Sequence, residues 1–209
     1  MVTLAEDSRW LIGDAVPEPA EGIYWAGERV LMPVKEVCRQ AMIPLPLRSN
    51  LLRAAVISTA RSRWGPSAGT PWQPTDDVFD PERPAVERLC GHRFWDRLTA
   101  LGAGLHLAIP GQDVAATADL VAQFQDGGLG VMAVWPGGPE VAQQVAPWIE
   151  LGATVAALAD AQLPVARAIV ICATGEGLKL ESRTGDEALG EWVTALDLQR
   201  TMLRHGLAR

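Results

Sequence analysis

The second half of the chain constrains the fold most, because apolar strand-like segments alternate there with turn sequences and helical patterns. Their order along the chain is β-β-β-α-β-β-α. This order predicts the α/β class, with a central mixed β-sheet that is flanked by helices. The predicted strands are 104–109, 114–124, 129–135, 165–174 and 178–182, and the predicted helices are 140–161 and 186–203.

The first half is predicted to add a hairpin and three helices to this sheet. The segment 64–84 contains five prolines, which predicts an irregular loop. A loop of this length in a compact domain is typically functional or mobile. We expect residues 1–22 to form an N-terminal lead-in and residues 23–209 to form one domain. The predicted hairpin pairs 23–25 with 29–32, and the predicted helices are 34–41, 48–64 and 85–101.

Charge and cysteine content narrow the classes of function. The chain has 18 basic and 25 acidic residues, a net charge of -7, which argues against coating nucleic acid through bulk positive charge. Its three cysteines are far apart, which is typical of buried thiols in a reducing cytoplasm. No apolar run reaches the roughly 18 residues that span a membrane, and the acidic start MVTLAEDSRW is unlike a signal peptide. We therefore expect a cytoplasmic protein without a membrane partner.

Four short motifs follow one another in the second half of the chain. They are Ala116–Val121 (ATADLV), the turn Asp126–Gly128, the strand segment Val131–Gly137 and the helix start Gln144–Trp148. In this order they resemble the RecB-like exonuclease branch of the PD-(D/E)XK nuclease superfamily. There, a G-T-x-D-L-V strand, a hairpin, a (D/E)-x-K-T-G strand end and a Q-x-x-x-Y helix occur in sequence. The resemblance covers roughly residues 23–203 and implies a restriction-endonuclease-like fold.

The resemblance implies that Asp119 is a vestigial metal ligand and that Gln144 belongs to the same vestigial site. Family members cleave DNA with a divalent metal that two or three carboxylates hold, and with a nearby lysine. Here the (D/E)-x-K positions read Ala133-Val134-Trp135, and the helix expected to carry a histidine reads Ser58–Ser62 without one. A single carboxylate is a poor site for a hard cation. We therefore expect no catalytic residue and no cofactor.

Candidate DNA contacts lie in two places. Arg53, Arg61 and Arg63, followed by Trp64 and Trp72, form the most basic and aromatic stretch of the chain. Such a patch can hold a phosphate backbone and stack bases; the alternative is a solvated helix face beside a loop that tryptophans anchor.

The start of the predicted helix 140–161 is the second candidate. The resemblance places Gln144 and Trp148 beside the family's active site, where they would line a DNA groove. The alternative is that Trp148 packs on the sheet.

Three functions remain open on this evidence. The first is a catalytically inactive nuclease-like protein that binds DNA, or serves as a non-catalytic subunit in recombination or repair with a protein partner. The second is an active Mg²⁺-dependent DNA exonuclease whose second carboxylate is Asp113, Glu87 or Glu140. The third is a structural or interaction protein, of a phage or mobile element, that uses the scaffold as a protein-binding surface; the net charge favours it over DNA binding.

Overall fold

A computed structural model describes residues 2–4, 11–13, 24–26, 29–65, 81–109 and 111–208. Within these ranges the chain forms nine strands and five α-helices. The strands are β1 (Val2–Leu4), β2 (Leu11–Gly13), β3 (Tyr24–Ala26), β4 (Arg29–Pro33), β5 (Leu98–Ala108), β6 (Val114–Phe124), β7 (Leu129–Pro136), β8 (Val165–Ala173) and β9 (Leu178–Thr184). The helices are α1 (Val34–Gln40), α2 (Asn50–Trp64), α3 (Arg83–Gly91), α4 (Ala146–Asp160) and α5 (Gly185–Arg204).

Seven of the described strands form one mixed sheet. Its order is β3-β4-β6-β7-β8-β9, and β5 pairs with β6 as well. The β4–β6 and β7–β8 pairs are parallel, and the other pairs are antiparallel. This architecture confirms the predicted α/β class with a central mixed sheet and flanking helices.

The two central strands β6 and β7 pair over only part of their length. Their ladder extends from Gln123 opposite Leu129 to Leu120 opposite Met132. Beyond that point β7 continues its parallel pairing with β8, and β6 pairs near its start with β4 through Val114 and Ala115. The strands therefore separate beside Asp119, and a fork opens in the middle of the sheet.

Apolar side chains cover both faces of the sheet. On one face α1, α4 and α5 pack over a core that includes Trp135, Trp148 and Trp192. On the other face α2 and α3 pack over a core that includes Leu120 and Trp95. Burial of these large side chains supplies the main driving force for folding, at about 25 cal/mol per Å² of apolar surface.

Helices α4 and α5 approach each other closely at a glycine. A Cβ atom added to Gly152 would lie 1.9 Å from the carbonyl oxygen of Ala188. The helix α5 itself begins with a capping box, in which Thr184 Oγ1 accepts from the backbone N–H of Glu187 and the Glu187 side chain accepts from the backbone N–H of Thr184. The two helices therefore form a tight layer over the sheet.

The prediction of one helix over 85–101 is wrong. Helix α3 begins at Arg83 and ends at Gly91, a 3₁₀ turn covers Arg93–Arg97, and the chain then enters β5. The ring of His92 accepts a hydrogen bond from the backbone N–H of Phe94 at 3.1 Å and starts the turn. Pairing of β5 with the whole of β6 outweighs the helical spacing of the apolar residues. Strand β5 is consequently longer than the predicted strand 104–109.

The predicted helix 140–161 is shorter at its start. A 3₁₀ turn covers Pro139–Gln143, and α4 begins at Ala146. Pro147 thus lies in the first turn of α4, where its missing N–H costs no helical hydrogen bond. The hairpin, the helix 34–41, the helix 48–64 and the final helix occur within a few residues of their predicted bounds.

The remaining predictions concern the N-terminal region and the loop. Strands β1 and β2 pair in antiparallel fashion inside the predicted lead-in, so this region contains regular structure. Residues 66–80 of the predicted loop, with Trp72, lie outside the described residues. The domain boundary at residue 22 stays a prediction. In the part of the chain that the structure describes, no helix is both long and apolar enough to cross a membrane.

Candidate functional site

The candidate site lies in the fork between β6 and β7 and centres on Asp119. This side chain is fully buried. Its Oδ2 accepts a hydrogen bond from the backbone N–H of Val134 at 2.8 Å. An ionised carboxylate in this position requires cationic partners, because an unpaired buried charge costs many kcal/mol.

Arg48 supplies the first cation. It lies at the end of the segment that connects α1 to α2, directly before the helix cap Ser49. Its Nη2 donates to both oxygens of Asp119, at 3.1 and 3.0 Å, and its Nη1 donates to the carbonyl oxygen of Val134 at 2.8 Å. Its guanidinium carbon also lies 4.1 Å from the ring centroid of Trp135. Hydrogen bonds and cation–π stacking therefore fix the guanidinium in the fork.

Arg53 supplies the second cation. It lies in the first turn of α2, and its Nε donates to Asp119 Oδ1 at 2.9 Å. The helix start is fixed because Ser49 Oγ accepts from the backbone N–H of Leu52 at 3.0 Å. Both arginine side chains are 20% exposed, whereas that of Asp119 is not exposed at all. Solvent therefore reaches the outer side of the two guanidinium groups.

Glu150 is a second carboxylate at the same place. It lies on α4, with its Oε2 at 3.9 Å from Nε of Arg48. Burial raises the pKa of Glu150, the negative charge of Asp119 raises it further, and Arg48 and Arg53 oppose this shift. The fork thus contains two carboxylates and two guanidinium groups from four different segments of the chain.

The residues present do not fit a resident divalent metal. Asp119 already accepts four hydrogen bonds, which come from Arg48, Arg53 and the amide of Val134. Among the described residues, no group of three or more His, Cys, Asp or Glu side chains could hold a metal ion. A metal at Asp119 would first have to displace a positively charged group.

The positions that resemble (D/E)-x-K are apolar in the structure as well. Ala133 is 1% exposed and Trp135 is 0% exposed, and both belong to the core under α4 and α5. The indole Nε1 of Trp135 is buried and has no hydrogen-bond partner. Neither position presents a group that could activate water.

The candidate arginines do not form one patch. Arg61 and Arg63 are two positions apart on α2 and point about 200° apart around the helix axis. Arg61 is exposed and donates to the carbonyl oxygen of Ala103 at 3.4 Å. Arg63 pairs with Asp96 at 3.5 Å and lies 5.8 Å from the ring of Trp64. Arg53 instead points into the fork, so the three cations face three different surroundings.

Gln144 and Trp148 also lie in different surroundings. Gln144 is exposed and lies in the connection before α4. Trp148 is 2% exposed, donates from Nε1 to the carbonyl oxygen of Ala142 at 2.8 Å and stacks under Arg183 at 4.3 Å. Trp148 packs on the sheet with its ring in the core, which is the alternative that the sequence left open.

The three acidic residues considered as migrated ligands have other surroundings. Glu87 pairs with Arg83 on α3 at 3.3 Å, and Glu140 accepts from the backbone N–H of Gly138 at 2.8 Å. Asp113 lies in the turn before β6, where its carbonyl oxygen accepts from the backbone N–H of Met32. The described carboxylate that shares a cation with Asp119 is Glu150.

Arg48 and Glu150 are the two site residues that sequence reasoning missed. Glu150 is the only charged residue between Glu140 and Asp160, in an otherwise apolar stretch. A lone carboxylate inside an apolar helix was a usable signal, because such a charge needs a partner. Arg48 carries no comparable signal, since it follows an irregular segment with two prolines.

That segment, Met42–Leu47 (MIPLPL), is an exposed apolar surface next to the site. Met42 is 69% exposed, Leu45 41% and Leu47 86%. Its start is fixed because the backbone N–H of Ile43 donates to the carbonyl oxygen of Cys38, and Arg48 fixes its end. We call Met42–Leu47 the proline segment.

Comparisons with known proteins do not show a family. No protein-family profile matches the chain, and no curated protein matches it. Among solved structures, the chain is similar to that of SSO0001, at 9% identity and a TM-score of 0.33. The match covers 81% of this chain and 82% of that one. A likeness at this level carries no argument about function.

Proposed function

We propose that this chain is a non-catalytic, nuclease-like protein that acts as a binding subunit for a protein partner. The observation that carries the proposal is the saturation of Asp119 by Arg48, Arg53 and the amide of Val134. The restriction-endonuclease-like fold and the family resemblance are parts of the same proposal.

The electrostatics of the fork support the absence of hydrolysis. Metal-dependent phosphodiester cleavage needs a cation that polarises the phosphate and lowers the pKa of a bound water. Guanidinium groups supply positive charge, but they cannot lower the pKa of water by coordination. The position of the family's lysine in the (D/E)-x-K motif is occupied by the apolar ring of Trp135.

The surface supports a protein partner over DNA. The net charge of -7 opposes a polyanion, and two of the candidate DNA contacts, Arg53 and Arg63, are paired with carboxylates. The proline segment, in contrast, exposes leucine and methionine side chains on a backbone whose ends are fixed. Apolar side chains that are already ordered lose little conformational entropy on binding, which favours association.

A nuclease assay tests the absence of catalysis. We expect no cleavage of linear double-stranded or single-stranded DNA by the purified chain in millimolar Mg²⁺ or Mn²⁺. Asp119→Ala is the control for contaminating nucleases. Cleavage by the wild-type chain that this substitution abolishes would contradict the proposal and support an active exonuclease.

Binding assays test the partner class. A gel shift at low salt is expected to show no DNA complex; a complex that weakens steeply as salt rises would indicate phosphate contacts instead.

Leu45→Ser with Leu47→Ser is expected to abolish co-purification of a protein partner from the native host. The same variant should keep the melting temperature of wild type, because both side chains are exposed. Unchanged co-purification would contradict a role of the proline segment.

A further inference from the structure

Strand β9 forms one edge of the seven-stranded sheet. In the part of the chain that the structure describes, it pairs only with β8, in antiparallel fashion. In such a pair, every second residue bonds to the neighbouring strand, and the residues between them direct their N–H and C=O groups away from it. The backbone N–H of Thr174 donates to the carbonyl oxygen of Gly177 at 2.9 Å, which fixes the phase of the β8–β9 ladder. The backbone groups of Lys179, Glu181 and Arg183 therefore face β8.

The backbone groups of Leu178, Leu180 and Ser182 consequently point away from the sheet. In the described structure they have no hydrogen-bond partner within the chain. Thr184 is the next residue of this series, but its N–H already donates to the carboxylate of Glu187 at 2.8 Å in the cap of α5. A pocket of about 720 Å³ between α3 and the start of β9 leaves space beside this edge. An open edge of this kind is a template for pairing with another strand.

The charges on β9 indicate which strand fits this edge. Lys179 and Glu181 form an ion pair at 2.9 Å, and their side chains are 59% and 37% exposed. When two copies of β9 lie antiparallel with Leu180 at the two-fold axis, Lys179 of each copy is opposite Glu181 of the other. Leu178 is then opposite Ser182, and Leu180 is opposite its own counterpart. This register joins all three outward-facing residues and places opposite charges in two symmetric cross-strand pairs.

The neighbouring registers are less favourable. An axis at Glu181 would place this carboxylate opposite itself and Lys179 opposite Arg183, so these charged pairs would repel. An axis at Ser182 would pair Leu180 with Thr184, whose N–H is already used in the cap of α5. Charges on an edge strand usually oppose pairing with other strands. On β9 their order favours a second copy of the same chain in the register about Leu180.

We propose that two copies of this chain associate through the open edge of β9, antiparallel about Leu180, so that their seven-stranded sheets join into one. The backbone hydrogen bonds of three residues hold the strands together, and the pairs of Lys179 with Glu181 fix the register. The contact is isologous, because the same residues face each other on both copies, so the assembly closes at two chains. The inference rests on β9 and goes beyond the proposed function, which concerns the proline segment.

Sedimentation velocity over a range of chain concentrations measures the association. Wild type is expected to change from one chain to two as the concentration rises. Lys179→Glu and Glu181→Lys should each weaken association at least about tenfold, because two attractive cross-strand pairs become repulsive. An equimolar mixture of the two variants should associate again, since each variant then meets the opposite charge. Arg204→Glu changes the net charge by the same amount as Lys179→Glu but lies in the last turn of α5, so it should leave association unchanged.

Two further variants separate backbone pairing from charge and test the register. Ser182→Pro removes an outward N–H and leaves the ladder to β8 intact, and proline is tolerated on edge strands in this orientation. The melting temperature of this variant at low concentration should match that of wild type, while its association is lost. Oxidation of Leu180→Cys should link two copies through a disulfide at the axis, because directly opposite residues lie about 5.5 Å apart between their Cα atoms. Ser182→Cys, which is opposite Leu178, should not form this link.

A wild-type chain that stays monomeric at millimolar concentration would overturn the proposal, even if β9 bound an extended peptide of another protein. A dimer that both charge reversals leave intact would overturn it too, because its interface would lie elsewhere. If Ser182→Pro does not fold, the charge variants and their mixture decide the question, since neither Lys179 nor Glu181 belongs to the core. Leu45→Ser with Leu47→Ser should leave the dimer intact, so failure of the partner experiment and failure of this one are distinguishable.

Discussion

The carboxylate of Asp119 accepts a hydrogen bond from the backbone N–H of Val134 at the point where their strands stop pairing. At this point a hydrogen bond to a side chain replaces the backbone hydrogen bonds between β6 and β7. Because Arg48 binds both Asp119 and the carbonyl oxygen of Val134, the same contact holds the two strands and the connection before α2 together. Asp119 therefore has a structural role in this fold, whatever the chain binds.

Arg53 is expected to contribute much more to stability than Arg61. Removing Arg53 takes one of two cations from a fully buried carboxylate, so Arg53→Ala should lower the free energy of unfolding by about 3 kcal/mol. Arg61 is exposed and makes a long hydrogen bond to Ala103, so Arg61→Ala should change it by less than about 0.5 kcal/mol. Urea unfolding of both variants measures the difference. Equal values would contradict the ion-pair network.

Glu150 is expected to make stability depend on pH. Its pKa is raised in the folded state, chiefly by burial, so the folded chain binds more protons than the unfolded chain. Stability is therefore lost as the pH rises from the unfolded value near 4.5 through the folded value. Glu150→Gln removes this loss. The free energy of unfolding of the variant, relative to that of wild type, should therefore increase as the pH rises above 4.5. Parallel stability profiles in urea titrations at several pH values would contradict the prediction.

Gly152 and Gly190 are expected to respond in opposite directions to alanine. A Cβ at Gly152 would collide with the backbone of Ala188, so Gly152→Ala should cost more than about 3 kcal/mol by forcing α4 and α5 apart. A Cβ at Gly190 meets nothing within 4 Å in the described structure. Gly190→Ala should therefore stabilise α5 by about 0.5–1 kcal/mol. Thermal unfolding of both variants checks the signs, and a tolerated Gly152→Ala would contradict the helix contact.

Cys38 is expected to resist alkylation in the folded protein. Burial, aided by the charge of Glu150, raises the pKa of its thiol to about 12. The reactive thiolate is therefore negligible at pH 8. Mass spectrometry after iodoacetamide treatment should find Cys38 labelled only in denaturant, whereas the half-buried Cys90 is labelled first. Rapid labelling of Cys38 in buffer would show that α1 opens readily.

The sequence predicted the strands better than the segments between them. The run 114–124 and the turn after it matched β6 and its hairpin, because alternating apolar residues and Asp-Gly turns act locally. Residues 92–101 were predicted as helix, since their apolar spacing also fits a helix. The pairing partner of this segment, β6, decides in favour of a strand, and that partner is distant in sequence.

The residues of the candidate site also differ in whether the sequence predicts them. A local motif identifies Asp119, and the sequence at the (D/E)-x-K positions shows directly that Ala133 and Trp135 replace the second carboxylate and the lysine. The sequence does not predict the burial of Trp148, because a tryptophan near a helix start fits a groove and a core equally well. Arg48 lies 71 residues from Asp119 and Glu150 lies on another helix, so no spacing rule relates them.

By itself, the sequence determined the order of strands and helices in the second half of the chain and the apolar character of Ala133 and Trp135. These properties depend on periodicity and residue type, which are local. Only the tertiary structure decided that two guanidinium groups, a second carboxylate and a backbone amide meet at Asp119. The reason is physical: a buried charge must find its partners across the folded core, and those partners come from wherever the chain packs against it.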